Sequence, residues 1–159
     1  TDVVVGVGDR ALTAVRQGDG YELYRSQWGG SDAVLARLFD SRTDPLAVLL
    51  GLDWTRQECC PVAALPHRID YHALDAVYLL SPAGVTVCQP VWLGLGWPET
   101  PDPTAGTLVR VASLAEHRAL RQFVAFFRTL CRDAVERDLL VTAQARVLLA
   151  LACWRQSGV

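Results

Sequence analysis

One stretch, Arg10 to Gly30 (RALTAVRQGDGYELYRSQWGG), constrains the fold more than any other. Gly18, Asp19 and Gly20 offer the positive φ angles of a tight turn and lie between β-prone segments, which predicts a β-hairpin. In a pleated strand alternate residues share a face. Leu12 and Ala14 therefore point one way and Ala11, Thr13 and Val15 the other, while on the return strand Tyr21 and Leu23 oppose Glu22 and Tyr24. Gly29 and Gly30 break the strand. Ser31 is then placed to cap a short helix over 32–39, with Asp32 in the first turn, where the helix dipole favours a negative charge. Pro45 suits the first turn of a second helix over 46–52.

A second hairpin is expected over 76–80 and 85–93, around Ser81-Pro82-Ala83-Gly84, with Pro suited to the second turn position and Gly to the last. Pro90 removes a ladder donor, so its strand is predicted to lie at an edge or to bulge there. The 53–70 segment, interrupted by Pro61 and Pro66, reads as a loop or short helical turns. Val3 to Val7 reads as a leading strand or an extension of the first. Residues 94–106, with Pro98, Pro101 and Pro103, read as a connection to helices. Leu120, Phe123, Val124, Phe127, Leu130, Cys131 and Ala134 recur at spacings of three and four, predicting a long amphipathic helix over 112–139. A last helix over 142–154 is apolar on nearly all sides, so it should be packed between elements or against a second chain. The expected fold is α+β: an antiparallel sheet of two hairpins, about four to five strands, covered by C-terminal helices. The 159 residues, half of them apolar, suit one domain. It divides into a hairpin region with short helices over 1–96, a connection over 97–106 and a helical region over 107–159.

Composition removes several functions. The net charge of −2 gives no global basic field for nucleic acid. All fifteen basic residues are Arg and there is no Lys, which excludes Schiff-base chemistry, a Walker-type Lys and a Lys base. Asn and Met are also absent and Ile occurs once, at Ile69, as in a GC-rich genome. No run approaches the ~18–20 apolar residues of a membrane span and no charged-then-hydrophobic leader opens the chain, so no membrane association and a cytoplasmic location are expected. Five Cys, two of them adjacent, do not form a secreted disulfide framework, and reduced thiols are expected.

Four constellations invite chemistry. Cys59, Cys60, His67, His72 and Cys88 are ligands of the kind that close a zinc site, but adjacent Cys residues are hard to aim at one ion. Buried thiols are therefore the favoured reading and no cofactor is expected, with zinc the lesser alternative. The same Cys/His region is the candidate for a cysteine-dependent hydrolase, with His67 or His72 activating Cys59 or Cys60. It has no glycine turn to form an oxyanion hole. Thr1 invites comparison with an N-terminal nucleophile, whose Lys-paired form the missing Lys rules out. Arg118, Arg121, Arg128 and Arg132 are read as a stripe opposite the apolar face of the long helix, able to grip phosphates or an acidic partner. The stripe has no interleaved aromatics and its one intrahelical acid is Glu136, so nucleic acid is not the favoured partner. Finally, Ser26-Gln27-Trp28-Gly29-Gly30 at the hairpin exit is a docking candidate, because Gly permits close approach and Trp offers a large amphipathic surface. The competing reading is a buried Trp at a packing corner.

Three blocks, Gly8-Asp9-Arg10-Ala11-Leu12, Tyr24-Arg25-Ser26-Gln27-Trp28-Gly29-Gly30, and Tyr71-His72-Ala73-Leu74 with Trp92-Leu93-Gly94-Leu95, resemble a family of small uncharacterised haloarchaeal proteins, a domain of unknown function. The resemblance covers roughly residues 8–96. Family members favour His where this chain has Asp9 and Gln27, and an acidic residue after His72 where it has Ala73. It implies a compact intracellular domain and no activity. The sequence thus predicts a non-catalytic protein-interaction or regulatory domain, with a homodimer through the last helix. The hydrolase and the Arg-lined nucleic-acid binder are the alternatives. Arg10, Tyr24, Ser26, Trp28, Gly29 and His72 are the candidate ligand or partner contacts.

Overall fold

A computed structural model describes residues 9–96 and 102–156. The elements in order are β1 (Ala11–Gln17), β2 (Gly20–Ser26), α1 (Asp32–Phe39), α2 (Pro45–Leu50), β3 (Thr55–Pro61), a 3-10 turn (Val62–His67), β4 (Ala76–Ser81), β5 (Gly84–Trp92), β6 (Gly106–Arg110), α3 (Leu114–Glu136) and α4 (Thr142–Gln156). The α+β class holds. The sheet, however, is mixed and has six strands in the order β3-β2-β1-β4-β5-β6. Both expected hairpins form, and they meet through a parallel pairing of β1 with β4, Ala11 beside Ala76 and Leu12 beside Val77. An antiparallel sheet of four to five strands is therefore corrected on both counts. The expected leading strand at Val3–Val7 and part of the 94–106 connection lie outside the described residues.

The local chemistry of the first hairpin is sharper than its sequence. Of its turn residues only Gly18, at φ 55°, is in the left-handed region, the Gly-first pattern of a two-residue type II′ turn. Gly20 serves differently: a Cβ there would run into the Cys60 carbonyl of β3. In α1, Ser31 caps as expected, its Oγ accepting from the Val34 N–H at 3.3 Å. Asp44 caps α2 with Pro45 in the first turn.

Two strands were not expected. β3 lies within the segment read as a loop; its side chains are exposed except Cys60, so it carries no apolar alternation and its pairing with β2 defines it. The five-residue β6 pairs with β5 and starts at Gly106, where a Cβ would collide with the Tyr71 ring. β6 makes β5 an internal strand, which corrects the edge expected from Pro90. Leu93 and Val111 donate to Ala105 and Val87 across the β5–β6 ladder. By the antiparallel alternation the missing N–H of Pro90 then faces β4's side. There β5 runs past the start of β4, and no ladder bond is lost.

The two sheet faces bury different sets. Ala11, Ala76, Tyr78, Val87 and Val91 pack under α1, α2, α3 and α4 with Leu35, Leu49, Leu120, Val124 and Leu149. Leu12, Ala14, Leu23, Val77, Cys88 and Trp92 pack on the opposite face with Leu65, Ile69, Tyr71 and Leu74. Among the described residues no helix is long and apolar enough to cross a membrane.

Candidate functional site

β5 extends beyond the start of β4, and the gap this leaves is walled by the 71–75 segment and roofed by α3. The result is a cleft of about 290 Å³. Its floor includes Gln89, Pro90 and Trp92 of β5; its walls include Tyr71, His72 and Asp75; its roof carries Arg121, Ala125 and Arg128. Seven residues separate the two Arg, two helical turns on one flank, and Ala125 between them leaves the roof low. Gln89 projects to the helical side of the sheet, in phase with Val87 and Val91. The β4–β5 register, Val77 opposite Cys88, sets the small side chain of Ala76 beside it. Gln89 is 5% exposed and its side-chain carbonyl has no hydrogen-bond partner among the described residues.

Arg128 is fixed at the Trp92 end. Its Nε donates to the Gly94 carbonyl at 2.9 Å and its Nη2 to the Trp92 carbonyl at 2.5 Å, with the guanidinium 5.4 Å from the Trp92 ring centre. No carboxylate lies in ion-pair range of it among the described residues. Burial lowers its pKa from the usual value, yet an Arg this far above neutrality stays charged. Arg121 is held loosely, 3.7 Å from Asp32 and 4.0 Å from Asp75. Asp75 accepts the Arg10 N–H at 3.1 Å; burial raises its pKa, opposed by the Arg121 charge and by that hydrogen bond. The His72 ring stands edge-on to Trp92, 4.5 Å between centres.

Of the residues predicted from sequence, His72, Arg121 and Arg128 line this cleft, and Arg10 reaches it through its backbone. The hairpin-exit residues do not line it, although Gly30 packs against Asp75 of its wall. Ser26 is buried with its Oγ accepting the Trp28 N–H at 3.4 Å, and Tyr78 donates to the Gly29 carbonyl at 2.6 Å. Gly30 donates to the Asp9 carbonyl at 2.7 Å. These contacts make the exit a packing corner. Trp28 itself is 61% exposed, so the buried Trp that would explain the corner is not this one. Tyr24 faces Glu22 and Arg56 on the β2–β3 strip, its phenol pKa raised by the hydrogen bond with Glu22.

The Arg stripe divides. Arg118 pairs with Asp32 at 3.0 Å, Arg121 and Arg128 flank the buried face of α3 rather than opposing it, and Arg132 remains exposed. The ion pair within α3's C-terminal end is Arg137 with Asp133 at 3.2 Å. The Cys/His set also divides. Cys59 is exposed and Cys60 buried, because neighbours on a strand face opposite ways. Burial pushes the Cys60 thiol up and the Cys88 thiol to about 11, the reverse of nucleophile activation. Among the described residues no three His, Cys, Asp or Glu are grouped to hold a metal ion.

A second surface lies on α4. Ala145, Leu149 and Cys153 form its buried stripe. Val147, Leu151 and Trp154 recur at i, i+4 and i+7 on the other side, 58%, 50% and 60% exposed. Phe126 and Leu130 of α3 and Leu139 and Val141 between the helices are exposed as well. Gln89 and Asp75 were missed from sequence; the one available signal was Gln89 as the polar residue in the apolar run VTVCQPVW. No family model matches the chain, and no curated protein or solved structure matches it.

Proposed function

We propose that this is a protein-interaction domain that works as a symmetric homodimer joined through the outer face of α4. The observation that carries the reading is the Val147, Leu151 and Trp154 stripe, which leaves apolar area in water on a helix already buried on its other side. A monomer rarely leaves several hundred Å² of contiguous apolar surface exposed. Two-fold pairing needs a patch that complements itself, and three uncharged side chains at helical spacing can do so, with Arg146 and Arg155 the charges of the helix that carries them. Phe126 and Leu130 of α3 and Leu139 and Val141 before α4 are further exposed apolar side chains that an interface could draw on, a standard one needing about 800 Å² per partner. A net charge of −2 sets up little repulsion between copies. The haloarchaeal resemblance belongs to the same proposal, since salts that are excluded from protein surfaces strengthen apolar burial.

Sedimentation over a concentration series tests it. The expected result is a dimer with a Kd at or below roughly 10 µM, tightening with sulfate, and a folded monomer for Leu151→Glu. A wild-type chain that stays monomeric, or a Leu151→Glu variant that dimerises equally well, overturns the reading. Neither alternative has comparable support: Arg118 and Arg121 are paired with carboxylates of the chain and Arg128 is recessed in the cleft, and no hydrogen bond among the described residues joins Cys59 or Cys60 to His67 or His72.

A further inference from the structure

We propose that the cleft between the overhang of β5 and α3 is a binding site for a small hydroxycarboxylate, its carboxylate on Arg128 and its hydroxyl on Gln89.

The polarity of the cleft dictates this orientation. Donors gather at the Trp92 end. A guanidinium has five N–H donors, and two of those on Arg128 are used on the Gly94 and Trp92 carbonyls. Arg128 lines the cleft, and no carboxylate among the described residues compensates its charge. Two carbonyl bonds hold the group rigid, so it is preorganised for an incoming oxyanion. Toward Asp75 the lining is mixed, with the Arg121 guanidinium 4.0 Å from the Asp75 carboxylate, and the acceptor left open is the Gln89 carbonyl, buried and without a partner among the described residues. An unpaired buried acceptor is destabilising, and a ligand's donor relieves it. Three residues of strand, about 10 Å, separate Gln89 from Trp92, so one short molecule can span both ends.

Charge and size narrow the class. Arg118 and Arg121 are balanced by Asp32 and Asp75, which leaves the Arg128 charge uncompensated among the described residues and suits a singly charged anion with a neutral donor. A zwitterionic amino acid would leave that charge uncompensated. A cleft of about 290 Å³ lies at the lower end of small-ligand sites, roughly 300–1,000 Å³, which favours a small molecule. Trp92 and Tyr71 offer apolar walls for a short carbon chain.

The test is an NMR titration of the full chain with 3-hydroxybutyrate, butyrate and inorganic phosphate, following the Gln89 side-chain amide and the Arg Nε signals. Expected are saturable shifts at both groups with 3-hydroxybutyrate and an affinity at least fivefold above butyrate, the worth of about one hydrogen bond. Gln89→Leu should erase that preference while leaving butyrate binding in place. Ala125→Leu, which fills the roof without removing a polar group, should abolish binding of both acids. Arg128→Gln should do the same, and where loss of the Arg128 anchor unfolds the chain, Ala125→Leu is the deciding variant. Equal affinity for the two acids, phosphate bound more tightly than either, no saturable shift, or binding indifferent to Ala125→Leu each overturns the proposal.

Discussion

His117 lies in α3 fully buried, with both ring nitrogens lacking a hydrogen-bond partner among the described residues. Burial lowers its pKa, and the Arg121 and Arg118 charges add to this against the opposing pull of Asp32. The imidazole is therefore held neutral in the fold and takes up a proton more readily once unfolded. Stability is complete above the ordinary His value of about 6.5 and falls as pH drops from there toward the depressed folded value. His117→Leu should raise stability by roughly 1 kcal/mol or more at neutral pH and flatten its pH dependence below about 6.5, measured by urea unfolding at two pH values. An unchanged profile would mean that His117 is solvated. Such positions are hard to see in sequence. His117 occupies the heptad phase of Leu120 and Val124, and pattern alone did not single it out. Trp28 shows the opposite failure, since a side chain of the kind usually buried is exposed here because Tyr78 and Trp54 already fill the corner.

The starts of α1 and α2 were legible through Ser31 and Pro45, because caps act within one turn, whereas the helix expected from 112 begins at Leu114 and its cap shows only in the structure. Ser113 Oγ accepts the Glu116 N–H at 3.0 Å, and the Glu116 carboxylate accepts the Ala112 N–H at 2.7 Å, so two donors left free at the start of α3 are satisfied. Ser113→Ala should cost about 1 kcal/mol in chemical denaturation; a cost near zero would mean that Glu116 caps alone. Turns were legible for the same reason, through Gly18 and Gly84, both at positive φ. The strands β3 and β6 were not legible, because an exposed edge strand needs no alternation of its own and takes its register from its neighbour. Pro90 was read correctly as a lost donor but assigned to the wrong place. Because its missing N–H faces the gap beside β4, Pro90→Val should cost less than about 1 kcal/mol, largely from added freedom in the unfolded chain. A gain in stability would show that a new ladder bond forms.

At the scale of the molecule, the parallel β1–β4 pairing joins two hairpins that sequence could only describe separately. Tyr78 of β4 ties them further, its buried hydroxyl donating to the Gly29 carbonyl 49 residues away; burial raises its pKa, so it stays a donor throughout the working range. Tyr78→Phe should cost about 1–2 kcal/mol by leaving a buried carbonyl unpaired. Both sheet faces share the central strands, so far-ultraviolet and near-ultraviolet circular dichroism should report one coincident unfolding transition. Two separated transitions would show that the hairpins are independent units.

The sequence by itself determined the two hairpins, the cap of α1, the Pro45 start of α2, the buried stripe of α3 and the all-round apolarity of α4. Each rests on residues within a turn or two of one another, where backbone preference and periodicity act. Only the tertiary structure decided that the hairpins join in parallel, that edge strands complete the sheet, and that His72, Arg121 and Arg128 meet around Gln89 while Trp28 stands apart. These are outcomes of pairing between distant segments, which no local preference encodes, and the cleft exists because β5 outlasts β4 beneath a helix that arrives some thirty residues later in the chain.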